Sequence, residues 1–160
     1  MDFNDRLEQA IKRGERLGDE RAEVAARQAL SEEELKRLHS QIRLELSEHI
    51  EHCIKRLPDH FPGFRYESLV GDRGWGAAVS RDDLRILAEG RKNFYSRLEM
   101  TIRPYSSYHV VELTARGTIA NKEVYNRSQF QKLTEARLDA FREWIDAWVL
   151  EYAEQYAAQR

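Results

Sequence analysis

The densest set of reactive side chains in this chain is Glu45-Leu46-Ser47-Glu48-His49-Ile50-Glu51-His52-Cys53. It contains two histidines, three glutamates and the chain's single cysteine. On a helix, Glu45, His49 and Cys53 stack at i,i+4 spacing, as do Glu48 and His52. Neutral imidazole, thiolate and carboxylate are all transition-metal ligands, which makes His49, His52 and Cys53 candidates. The spacing is neither His-Glu-x-x-His nor the Glu-x-x-His of di-iron bundles. A metal would need further ligands from elsewhere, where His39, His60 and His109 are the remaining histidines. The simpler reading is a polar helix face with Cys53 beside the core, so no cofactor is assigned.

Two further groups invite the same question. Gly71-Asp72-Arg73-Gly74-Trp75-Gly76 offers backbone N–H groups that could cradle an anion, with Arg73 in support. It matches no phosphate-loop spacing, and it reads as a hairpin turn between strands. Tyr95, Arg97, Arg103, Arg116, Lys122 and Arg127 could present stacking and phosphate-pairing groups on adjacent strands, as single-strand nucleic-acid binders do. Glu99, Glu112 and Glu123 are interleaved with them, and ordinary cross-strand pairs use the same residues. Nucleophilic catalysis is not signalled. There is no G-x-S-x-G, and a mid-helix Cys53 on an apolar face reads as inert.

These groups must be positioned by a small number of elements. The chain has 160 residues, 41% hydrophobic and 34% charged, with 28 acidic and 26 basic side chains. That suits a single α+β domain over 1–160 with well-solvated helical faces. A formal charge of −2 gives no bulk attraction to nucleic acid or anionic lipid. One cysteine excludes an internal disulfide. The N-terminus has no apolar signal region, and no run reaches the ~20 apolar residues of a membrane span. The expectation is a cytoplasmic protein with no membrane partner.

Residues 1–57 read as helical, either a helical hairpin or a long helix pair. Phe3, Leu7, Ala10, Gly14, Leu17, Arg21 and Val24 follow heptad spacing. Ala10, Gly14, Gly18, Ala22 and Ala26 form a second ridge of small residues, but Gly14 and Gly18 could equally break the helix near Asp19. Ser31 and Glu34 make a capping box that starts a helix over 31–57, which Pro58 stops. Residues 64–127 switch to period-two alternation and predict an antiparallel sheet of four to five strands, polar on one face. Residues 80–92 fit either a strand or a short helix capped by Asp82. Residues 128–160 hold a last helix from Thr134 to about Gln159, packed on the sheet and the N-terminal helices. Its apolar residues cover roughly 180° of the circumference, against ~100° for a surface helix, so two surfaces must cover it.

The function expected is therefore a non-catalytic interaction or structural module that self-associates, as a dimer or with a protein partner. Trp144, Trp148 and Tyr152 on the last helix are the first interface candidates, and Gly14, Gly18 and Ala22 the second. One alternative is a ligand-binding protein or small enzyme, with a pocket between sheet and last helix lined by Arg73, Trp75, Tyr95, Arg97 and His109. Another is a single-stranded nucleic-acid binder using the sheet face, which the negative net charge disfavours.

Overall fold

Alternating apolar and polar residues between Arg65 and Lys132 build a five-stranded antiparallel meander in a computed structural model of the chain. The structure describes residues 2–159, the side chains of residues 29 and 30 excepted. The strands are β1 (Arg65–Gly71), β2 (Gly74–Leu87), β3 (Gly90–Ile102), β4 (Val110–Ile119) and β5 (Lys122–Lys132). They lie in chain order across the sheet. Among the described residues three α-helices complete the α+β fold: α1 (Phe3–Ile54), α2 (Leu57–His60) and α3 (Leu138–Ala158). The chain divides into two compact units, residues 1–37 and residues 38–160. The first holds only the beginning of α1; the second holds everything else.

The second unit has a core on one face of the sheet. Leu98, Met100 and Ile102 of β3 pair with Gly117, Ala115 and Leu113 of β4 and with Val79, Ala77 and Trp75 of β2. Most of these are fully buried. Leu46, Ile50 and Ile54 of α1 and Phe141, Ile145 and Tyr152 of α3 are buried with them. Tyr125 Oη donates to the Trp148 carbonyl at 2.8 Å, and Tyr152 Oη donates to the Thr118 carbonyl at 2.8 Å. These two bonds fasten α3 to β5 and β4 while satisfying buried hydroxyls. Gly76 and Gly117 are sites of close approach. A Cβ on Gly76 would lie 1.9 Å from the Met100 carbonyl oxygen, and one on Gly117 would press on the Tyr152 ring at 3.1 Å.

Several expectations are corrected. Residues 3–54 form one helix, so neither Gly14 nor Gly18 breaks it. Ser31 and Glu34 lie inside the helix and do not start one: the capping box loses to helix continuity on both sides of it. α1 ends at Ile54, ahead of Pro58. Pro58 instead sits in the first turn of α2, where its missing N–H costs nothing. Thr134 falls in a 3-10 turn (Leu133–Glu135), and α3 begins at Leu138. Residues 80–92 form a β-hairpin, strand on either side of a turn at Ala88 and Glu89: β2 and β3 pair from Trp75↔Ile102 out to Leu87↔Gly90. Asp82 caps no helix; its carboxylate accepts from Asn93 Nδ2 at 2.7 Å and Arg65 at 3.2 Å. The outer part of this hairpin reaches past β1, which stops pairing at Arg65↔Ser80, and past β4, which stops at Arg97↔Thr118. Leu84 and Ile86 are exposed there.

Candidate functional site

α1 and α3 bring three reactive side chains together. His49 and Cys53 lie one turn apart on α1, and Asp146 comes from α3. His49 Nε2 is 2.8 Å from Asp146 Oδ1. Cys53 Sγ donates to the same carboxylate oxygen at 3.3 Å and is 3.6 Å from His49 Nε2. This is the one group of three His, Cys or acidic ligand atoms that converges among the described residues. His52 is exposed and outside it.

The arrangement limits the chemistry. A nucleophilic dyad needs one ring nitrogen on the thiol and the other on the orienting acid. Here a single nitrogen faces both. Burial, and then the Asp146 carboxylate as hydrogen-bond acceptor and negative charge, pushes the Cys53 thiol up to about 12. Cys53 is therefore a protonated donor at neutral pH, not a thiolate nucleophile. Beside the cluster an apolar groove of about 480 Å³ runs along α1, α2 and α3. Cys53 and Asp146 stand in its wall with Leu57, Val149, Leu150 and Ala153.

The polar face of the sheet carries a second concavity, of about 460 Å³, which includes Arg73, Arg97, Arg103 and Arg116. Three of these arginines have carboxylate neighbours. Arg97 donates to Glu67 at 2.8 Å and to Glu99 at 3.3 Å, Arg103 lies 3.5 Å from Glu112, and Arg116 lies 3.6 Å from Glu123. Arg127 is on the opposite face and forms a bidentate pair with Glu151 of α3. Of the five ligand candidates, Arg73 and Arg97 line this concavity; Trp75, Tyr95 and His109 do not. Trp75 is instead covered by the Arg43 guanidinium at 4.3 Å from its ring centroid, a cation–π contact. The Tyr95 N–H is held by the Asn121 side chain. His109 packs against Tyr105, whose ring also meets His39. A hollow of about 240 Å³ does lie between the sheet and the end of α3, lined by Arg81, Phe94, Ile119 and Tyr156 among others and by none of the five.

The two interface candidates are placed very differently. Trp148 and Tyr152 are buried in the core of the second unit, and Trp144 is half-buried with its ring edge-on to Phe141 at 5.2 Å. Gly14, Gly18 and Ala22 are exposed on the first unit. So are Phe3, Leu7, Ile11, Leu17 and Val24, at 74%, 45%, 53%, 54% and 48% of their full accessibility.

Sequence reasoning named His49 and Cys53 but missed Asp146. The available signal was an acid at the edge of the apolar arc of the last helix, next to Ile145 and one turn before Val149. Which residues of α1 it meets depends on the register of two helices far apart in sequence. No protein-family model matches this chain, and no curated protein or solved structure matches it. Among the described residues, no helix is long and apolar enough to cross a membrane.

Proposed function

We propose that this protein is a non-catalytic interaction module that self-associates as a dimer through the first part of α1. The observation carrying this reading is the exposure of Phe3, Leu7, Leu17 and Val24 in a unit that consists of one helix. A helix by itself has no interior. Propensity alone leaves helices marginal in water, and packing of an apolar face supplies most of their stability. Residues 3–28 carry six acids and six bases, so a second copy meets no net repulsion.

Heptad geometry favours an antiparallel pair. In a parallel pair Arg21 would face Arg21 and Gly14 would face Gly14, placing like charges and a void in the seam. With Leu7 opposite the second copy's Val24, Gly14 lies opposite Leu17, and Ala10 opposite the aliphatic stem of Arg21. Large side chains then meet small ones, and Arg13 flanks the second copy's Glu20. The small ridge at Ala10, Gly14, Gly18 and Ala22 would let the backbones come close.

Charge exchange tests the pairing. Arg13→Glu should weaken the dimer by setting two acids side by side, and the double variant with Glu20→Arg should restore it. Weakening without restoration would reject the antiparallel register. The single cysteine fits a reducing, cytoplasmic setting.

A further inference from the structure

We propose that His49, Cys53 and Asp146 form a three-ligand site for a divalent transition-metal ion of the Zn²⁺ class, its remaining coordination position lying on the side of the apolar groove. The inference is independent of the self-association reading. Its first support is convergence: the three ligand atoms stand 2.8, 3.3 and 3.6 Å apart. Around a tetrahedral zinc ion, with bonds of about 2.0–2.3 Å, the distances between ligand atoms are about 3.3–3.6 Å. Both edges to the sulfur already fit. The edge between His49 and Asp146 has to open by about half an ångström, and the His49–Asp146 and Cys53–Asp146 hydrogen bonds give way to three metal bonds.

The second support is the donor set. Imidazole nitrogen, thiolate sulfur and carboxylate oxygen together suit zinc and its softer neighbours and disfavour Mg²⁺ and Ca²⁺, which take oxygen. The third is rigidity and access. His49 and Cys53 share one face of a helix at i,i+4, and α3 supplies Asp146, so the ligands stand on packed helices rather than on a loop. The Asp146 side chain is 52% exposed and that of His49 24% exposed, which leaves an entry path from solvent.

On binding, the Cys53 Sγ–H bond breaks as the sulfur–metal bond forms, and the proton leaves to solvent. His49 gives up the Nε2 proton it shares with Asp146 to solvent and binds through the Nε2 lone pair as the Nδ1–H tautomer, and Asp146 binds through Oδ1. Three protein ligands leave one tetrahedral position for water or for a molecule in the groove. Cys53 and Asp146 are themselves part of the groove wall, so an occupant there would be within reach of the ion.

The test is titration of the full chain, purified without a histidine tag, with Co²⁺. The expected result is a thiolate-to-cobalt charge-transfer band together with the intense d–d bands of four-coordinate cobalt. Both should saturate at one ion per chain and be displaced by Zn²⁺. Cys53→Ala should abolish the charge-transfer band, and Asp146→Ala should weaken binding at least about a hundredfold, since even partners outside the ligand shell commonly cost 10–100-fold. His52→Ala should change nothing. Far-UV circular dichroism checks the fold of each variant; should Cys53→Ala disturb it, Cys53→Ser, which keeps the size, is read in its place. Absence of the charge-transfer band in the wild type, its survival in the Cys53 variants, or its loss in His52→Ala would overturn the proposal.

Discussion

The beginning of α1 and the whole of α3 are both helices with broad apolar content, yet they use it in opposite ways. On α3 the apolar arc is consumed within its own unit: Phe141, Ile145, Trp148 and Tyr152 are buried. The sheet and the end of α1, with its buried Leu46, Ile50 and Ile54, belong to the same unit. On the first unit Phe3, Leu7, Ile11, Leu17 and Val24 remain exposed. A wide apolar arc is therefore not by itself an interface. What matters is whether the same folding unit supplies enough surface to cover it.

Trp148→Glu gives the largest expected effect. It places an unpaired charge in the core and should unfold the second unit, at a cost above about 4 kcal/mol. Loss of the urea-unfolding transition and of near-UV circular dichroism would show it. A folded, soluble Trp148→Glu protein would mean that α3 is no core helix. By contrast, Leu7→Glu combined with Leu17→Glu should leave the melting temperature of the second unit unchanged while removing dimers. Losing two leucines from a buried seam costs at least about 3 kcal/mol, which is more than a hundredfold in dissociation constant.

Glycine variants sharpen the comparison on a smaller scale. Gly76→Ala should destabilise the sheet by several kcal/mol, because its Cβ would overlap the Met100 carbonyl. Gly18→Ala meets nothing within 4 Å and should raise helix content, adding about 1 kcal/mol of intrinsic helix stability. Thermal denaturation followed at a helix-sensitive wavelength distinguishes the two. Equal destabilisation by both would contradict the contrast between the units.

The smallest expected effect is a pH dependence confined to the second unit. His39 is 3% exposed and its Nε2 has no hydrogen-bond partner among the described residues. Burial, helped by the positive charge of Arg43 and opposed by a hydrogen bond with the Arg103 backbone, holds its pKa below the usual 6.5. Below about 6.5 the unfolded chain takes up a proton that the folded chain refuses. Stability is thus full above that value and falls as the pH drops through it, by at most about 1.4 kcal/mol per pH unit. His39→Phe should flatten the fall in urea midpoint between neutral and mildly acidic buffer. An unchanged slope in that variant would assign the sensitivity elsewhere.

Much of the fold was legible because alternation is a local signal. The inward set Val111, Leu113, Ala115 and Ile119 is buried as the period-two pattern requires. The outer β2–β3 hairpin was not legible, because Leu84 and Leu87, three residues apart, imitate one turn of an amphipathic helix. The start of α3 was misplaced because no side chain caps it; the Arg137 N–H is satisfied by Gln131 instead. For the candidate site, the i,i+4 pair His49 and Cys53 could be read from one helix. Asp146 could not, because it lies 93 residues beyond Cys53 and meets it only through tertiary packing. The Trp144, Trp148 and Tyr152 ridge stood out for its size, while the interface proposed here rests on smaller residues whose exposure only the structure displays.

Light scattering coupled to size exclusion, on the full chain and on Leu7→Glu/Leu17→Glu side by side, decides whether the exposed face of α1 joins two copies. The expected result is a mass of twice the 18.9 kDa chain for the wild type at micromolar concentration and a folded single chain for the variant. A wild type that stays a single chain at high micromolar concentration, or a dimer that survives in the variant, would contradict it.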